Sequence, residues 1–242
     1  MPRTPKVDAI IEQIRSLINR RVFSDGRLPS EPQLAELVGA SRPTVRQALA
    51  ALEIDGLITR RQGVGTFVNE NVLSIDTRLE EVWDFYEMLR MAGQPVNVDH
   101  HYLTLGPVDA AIAEALSLAP DADAITAANV FKSGDTPIIY CVDIIPAHLV
   151  TQAYREEELH GPVYEFLSRR CDQQLDYNIA EVRPVVADEE LAERLTCAPG
   201  SPVHYFTEIG FNRDDQPIIY SREYYRPEFF EFKVVRKMTT RR

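Results

Sequence analysis

The sequence predicts an α+β chain in two parts, a small winged helix-turn-helix followed by a larger antiparallel-sheet domain with packed helices. Three observations carry this: short capped helices at the start of the chain, a basic hairpin with a glycine tip directly after them, and a helix-plus-hairpin block that occurs twice later on. The expected boundaries are 1–69 for the first domain, 70–77 for a polar linker and 78–242 for the second domain.

The first helix follows from Val7, Ile10, Ile11, Ile14, Leu17 and Ile18, a three-and-four spacing that puts every apolar side chain on one stripe. It should end near Arg20-Arg21, before the Asp25-Gly26 turn. Ser30-Glu31-Pro32-Gln33 reads as a capping box, with Pro32 in the first turn, where no amide donor is required. Leu34, Ala35, Leu37 and Val38 give the second helix its buried stripe, and Gly39 ends it. Ser41 caps a third helix with Val45, Ala48, Leu49 and Leu52 inward, stopped by Asp55-Gly56.

Two short helices joined by a tight Gly-Ala-Ser turn have helix-turn-helix spacing. The third helix presents Arg42, Pro43, Thr44, Arg46, Gln47 and Ala50 outward, and no acid occurs from Ser41 to Leu52. Small residues allow close approach to a major groove, while guanidinium and amide donors reach base edges and phosphates. Next, Leu57–Arg61 and Thr66–Val68 read as strands around the Gln62-Gly63-Val64-Gly65 turn. Such a ribbon after a helix-turn-helix is a wing. The candidate DNA contacts are Ser30, Arg42, Thr44, Arg46, Gln47, Arg61, Gln62, Gly63 and Gly65.

Net charge is −11, yet it is unevenly spread: residues 1–70 hold ten Lys/Arg against eight Asp/Glu, while residues 71–242 hold sixteen against twenty-nine. The acid excess therefore lies outside the part expected to meet DNA.

After the linker, Leu79, Val82, Trp83, Tyr86 and Leu89 predict a helix ending at Gly93. Beyond it the chain repeats itself. Asp109–Pro120 matches Asp188–Pro199 at six of twelve positions, and Asp135–Tyr140 matches Asp215–Tyr220 at five of six, with the spacing kept to within one residue. Two helix-plus-hairpin units imply one pseudo-symmetric antiparallel sheet with helices on one side, and a ligand cleft near the seam between copies.

The run from Leu28 to Val68, LPSEPQLAELVGASRPTVRQALAALEIDGLITRRQGVGTFV, resembles the DNA-binding domain of the GntR family. The resemblance implies that Arg42, Thr44, Arg46 and the Gln62-Gly63 tip touch DNA. Pro32 stands where the family usually has arginine, so one contact is lost and the operator differs there. With such a domain in front, the duplicated region resembles the UTRA effector domain of the HutC subfamily, whose fold is similar to chorismate lyase. That implies a metabolite pocket, a homodimer and a palindromic operator.

Relatives that sense sugar phosphates carry an Arg-x-Arg pair before the first hairpin turn; the matching positions are Asn129 and Phe131, with Lys132 the only base nearby. A desolvated phosphate would lack charge-assisted partners there. The expected effector is therefore neutral, cationic or aromatic and not a sugar phosphate. Candidate pocket residues are Tyr140, Glu181, Tyr220, Glu223 and Tyr225, polar or aromatic positions on predicted strands.

Other classes find little support. The adjacent His100 and His101 point to opposite faces of a strand, and Cys141, Cys171 and Cys197 lack ligand spacing, so neither a metal nor a cofactor is expected. No nucleophile, zinc-protease or nucleotide-loop motif occurs, which argues against an enzyme. No apolar run spans a bilayer and no signal segment opens the chain, so a cytoplasmic protein is expected. Two alternatives stay open: retained lyase-like chemistry, and a constitutive DNA binder whose second domain only dimerises.

Overall fold

The computed structural model describes residues 5–23, 25–75, 78–80, 82, 84–91 and 96–236. These divide into two compact units, one up to Glu80 together with the chain from Phe232 onward, the other from Glu81 to Glu231.

In the first unit, α1 (Pro5–Asn19), α2 (Glu31–Leu37) and α3 (Arg42–Ile54) precede the hairpin β1 (Ile58–Arg61) and β2 (Gly65–Val68). Ile14, Leu34, Val45, Ala48 and Leu52 are completely buried together, as the apolar spacing requires. Ser41 caps α3 by accepting from the Thr44 amide at 3.4 Å, and the Ser30 amide donates to Gln33 Oε1 at 3.0 Å. The hairpin gains a third, short extended segment: the Leu28 amide donates to Thr66 O at 2.9 Å and the Val68 amide to Gly26 O at 2.6 Å.

The stretch 70–77, expected as a linker, instead opens with a fourth helix, α4 (Glu70–Leu73), whose Val72 is buried in the winged-helix core. Beyond it Arg78 donates to Asp55 O at 2.8 Å, and the Leu79 amide donates to Lys233 O at 2.8 Å. Backbone pairing with the end of the chain thus carries this unit past the expected boundary. Of the helix expected from Leu79 to Gly93, the described residues show α5 (Phe85–Met91), with the Tyr86 amide donating to Asp84 Oδ1 at 2.9 Å at its start. Trp83 and Gly93 lie outside the described residues.

The second unit is built on β3 (Val96–Pro107), α6 (Ala110–Ala115), β4 (Asp123–Ser133), β5 (Thr136–Pro146), α7 (Val163–Arg170), β6 (Tyr177–Val186), α8 (Glu189–Leu195), β7 (Pro202–Phe211) and β8 (Pro217–Tyr225). Its six strands run in the order β3-β4-β5-β8-β7-β6, every pair antiparallel. Each copy of the repeat is a strand, a helix and a hairpin, and the copies meet where β5 pairs β8. The matched aspartates are the helix caps: Asp109 accepts from the Ile112 amide at 2.9 Å and Asp188 from the Leu191 amide at 2.8 Å.

Helices cover both faces of this sheet, not one. Leu116, the C-cap of α6, and Leu195 of α8 pack with Val130, Val142 and Ile144 on one side. Phe166 and Leu167 of α7 pack with Ile125, Ile145 and Ile219 on the other. The repeat places α6 and α8 on the same face; α7 lies between the copies and has no counterpart in the matching blocks, so nothing in the duplication pointed to the second layer.

Candidate nucleic-acid interface and ligand cavity

On α3 the capped first turn and the inward stripe leave Arg42, Arg46 and Gln47 exposed, with Thr44 half-buried. The Thr44 hydroxyl is 2.7 Å from Ser41 Oγ, which holds both at the N-terminal edge of the helix. Among the described residues Arg42 has no ion-pair partner. Arg46 differs. Its side chain is 67% exposed, yet Glu31 of α2 accepts from its Nε at 3.1 Å and its Nη2 at 2.9 Å. The hydrogen bond to Arg46 holds the Glu31 carboxyl below its ordinary range and raises the guanidinium in turn. The acid-free run of α3 is thus answered by an acid from the neighbouring helix. Ser30, beside it, donates its hydroxyl to Gln33 Oε1 at 2.7 Å.

The wing has its own framework. Arg61 pairs with Gly65 across the strands, and the Val64 amide donates to Arg61 O at 3.0 Å, which closes the turn through Gln62 and Gly63. Gly63 has φ +73 and Gly65 φ +140, conformations that favour glycine. A Cβ at Gly65 would also lie 2.9 Å from Arg27 Nε. Arg27, which the sequence did not single out, donates to Val64 O at 2.7 Å and sits 5.9 Å from the Phe67 ring. Arg61 lies over the same ring at 4.9 Å. Arg60 was also missed; it reaches from β1 to Arg46 O at 3.2 Å and joins wing to α3. Its signal was the Arg60-Arg61 pair itself, one arginine for each side of the strand.

The five candidate effector residues do not share one site. Tyr140 and Tyr220 lie with the α6/α8 layer, where Tyr140 stacks on Tyr224 at 5.8 Å and Arg194 lies 5.4 Å from the Tyr140 ring. Glu181 is exposed on β6 and pairs with Arg183. Only Glu223 and Tyr225 come together, on the α7 face, where both are buried and the Tyr225 hydroxyl donates to Glu223.

A small, partly open cavity of about 20 Å³ lies on that face at the seam. Glu223 of β8 and Asp143 of β5 line it, together with Asn129 and Phe131, the positions where an arginine pair was missing. Phe85, Tyr86 and residues 161–164 complete the wall. Phe85 and Phe131 meet edge to face at 4.9 Å. Asn129 bonds His100 at 2.7 Å, and His100 stacks on His160 at 3.5 Å. Lys132 points to the opposite face and pairs with Asp99. Asp143 Oδ1 accepts from Ser221 at 2.6 Å and from Cys141 at 3.5 Å. Burial raises the Asp143 carboxyl, and burial with the charge of Glu208 raises Glu223 far more. Asp143 was not singled out because strand parity alone does not say which face holds a cavity, and Tyr164 because it lies on α7, outside the repeat.

Among the described residues no group of three or more His, Cys, Asp or Glu is arranged for a metal, and no helix is long and apolar enough to cross a membrane. All three cysteines are free thiols.

Comparison with known proteins agrees with both halves. Residues 6–68 match the bacterial regulatory proteins of the gntR family, and residues 91–231 match the UTRA domain. The HTH-type transcriptional regulator Rv0792c of Mycobacterium tuberculosis is 30% identical over 226 residues, covering 90% of this chain and 80% of that protein. The HTH-type transcriptional repressor NagR of Bacillus subtilis is 26% identical over 227 residues, covering 92% and 91%. In fold, the possible transcriptional regulator YydK of Bacillus subtilis superposes with a TM-score of 0.76 at 20% identity, over 97% of this chain and 100% of that one. Both halves therefore have their counterparts among known regulators: the chain belongs to the GntR family of bacterial regulatory proteins, as a DNA-binding transcription regulator with a ligand-binding UTRA domain.

Proposed function

We propose that this protein is a homodimeric repressor that binds a palindromic operator and is released by a small molecule seated in the seam cavity. The observation that carries the DNA part is the uninterrupted exposed face of Arg42, Arg46 and Gln47 beside a wing held by Arg27. Arg42, Arg46 and Gln47 read base edges. Thr44 and Ser30 hold phosphates, and Arg61 with the Gln62, Gly63 and Gly65 tip enters the minor groove. Repression is the direction named for NagR. A dimer gives two such modules for two half-sites. The exposed edge strand β6, with Ile179 and Val186 54% and 68% exposed, offers a surface for a second copy.

The cavity takes a small molecule without a phosphate, since Asn129 and Phe131 supply no cation and the facing groups are carboxyls. Ligand occupancy is linked to operator affinity by a coupling free energy. The chain acts in the cytoplasm and performs no catalysis. Selection of duplexes from a random pool, followed by anisotropy titration, tests this reading: an inverted repeat bound as a dimer supports it, and the absence of any enriched sequence overturns it.

A further inference from the structure

We propose that the seam cavity binds an organic cation, a protonated amine or amidine on an apolar or aromatic body, with Asp143 and Glu223 as its counter-charges. This rests on the reading of the cavity as the effector site and names the ligand class.

The argument begins with two carboxyls at the cavity wall. Asp143 is 8% exposed and Glu223 5% exposed, and both line the space. In each, one oxygen is occupied: Ser221 and Cys141 donate to Asp143 Oδ1, and Tyr225 donates to Glu223 Oε2. Among the described residues nothing donates to Asp143 Oδ2 or to Glu223 Oε1. Neither oxygen is sealed inside the chain, so a donor from outside can reach both.

What faces them from each packed element is acidic or neutral. On the neighbouring strands stand Glu208 of β7, whose carboxyl accepts from Asn178 of β6, with Cys141 of β5 and Tyr225 of β8. Opposite lie Tyr164 of α7, and Asp84 and Tyr86 at the start of α5. Two imidazoles stand behind Asn129, His100 of β3 and, stacked on it, His160, whose burial keeps it below the ordinary histidine range. Among the described residues no Lys or Arg lines the cavity.

Two buried carboxyls and the half-buried Glu208 would repel one another if all were charged, so the empty site keeps protons: burial leads for each, and the neighbouring carboxyl charges add to it at Glu208 and Glu223. A neutral polyol would fill the open acceptors and leave the charged carboxyls uncompensated. A cation does both: it donates to the open oxygens and balances their charge. The rest of the wall suits the body that carries it: Phe85, Tyr86 and Phe131 meet edge to face, at 4.9 Å and 5.4 Å, and aromatic faces attract cations. Entry of a cation drives protons off the carboxyls, so affinity tightens as pH rises towards their raised range.

The test uses the full-length protein and three probes of one shape, benzylamine, benzyl alcohol and benzoate, with glucose 6-phosphate as a fourth, titrated by ligand-observed NMR. Benzylamine is expected to bind about tenfold or more tightly than benzyl alcohol, with a gain at higher pH. Asp143→Asn and Glu223→Gln should each erase most of that preference, while a cooperative circular dichroism melt shows that the variants are folded. Equal or tighter binding of benzoate or glucose 6-phosphate overturns the proposal. So does an amine preference that survives both substitutions, or failure of benzylamine to bind at all. Val163→Trp, which fills the cavity, separates the two readings. Anion binding lost in this variant keeps the effector site and discards the cationic class. Binding of every probe that persists in it removes the cavity as the site, and this proposal with it.

Discussion

Glu31 grips Arg46: the carboxylate in the first turn of α2 accepts from Nε at 3.1 Å and from Nη2 at 2.9 Å of an arginine one turn into α3. The pair ties together the two helices of the helix-turn-helix and fixes the direction of a guanidinium whose other donors remain free for DNA. Because the arginine is largely exposed, the pair adds little stability and its value is orientation. On the proposed docking it also sets a negative charge beside the phosphates, where non-specific attraction would otherwise be greatest.

Glu31→Gln is therefore expected to raise affinity for scrambled duplex and to lower the ratio of operator to scrambled binding by about tenfold, the scale of one misdirected bidentate contact. Fluorescence anisotropy with both duplexes measures it. An unchanged ratio would remove the orienting role.

Arg46→Ala is expected to weaken operator binding by about tenfold or more while the circular dichroism melt stays within about 0.5 kcal/mol of the parent, as for an exposed side chain. Arg42→Ala should weaken it as well. For the parent, log affinity should fall linearly and steeply with log salt, because bound phosphates release counterions. A shallow slope would mean few phosphate contacts.

Gly65→Ala combines φ +140 with a Cβ placed 2.9 Å from Arg27 Nε. It should cost about 1–3 kcal/mol of local stability and loosen the wing. The melt and the operator affinity should fall together; hydrogen exchange at Val64, whose amide donates to Arg61 O, would locate the loss. Full retention of both would show that the wing tolerates another turn.

Glu223 has a carboxyl raised well above its ordinary value when folded, first by burial and then by the charge of Glu208. Between the unfolded and folded values the native chain holds the extra proton, so stability is present at low pH and is lost as pH rises. Glu31, held low by Arg46, acts the other way, its contribution lost as pH falls. Glu223→Gln isolates the first effect: the ligand-free variant should gain stability over the parent at pH 8 and show little difference near pH 5. Thermal melts across that range check it, and an equal shift at all pH values would contradict it.

The periodic stripes, the caps at Ser30 and Ser41, and the glycine-tipped hairpin were all legible in the chain, because each depends on residues within a few positions of one another. The duplication was legible too, since its two copies share side chains at matched spacing. Other features were not. The pairing of Leu79 with Lys233 runs through backbone atoms and leaves no side-chain signature, so the expected linker placed the boundary too early. The effector candidates were taken from both sides of the sheet: alternation tells that Tyr220 and Glu223 point apart but not which side carries α7.

What the sequence by itself determined is the set of local elements, their order and the chemistry displayed on α3, because caps, turns and hydrophobic period act over a turn or two of chain. Tertiary structure alone decided which acid meets Arg46, which arginine braces the wing, and which carboxyls face a common space. Those choices follow from the register of β5 on β8 and the docking of α2 on α3, contacts between residues far apart in the chain whose packing no short stretch encodes.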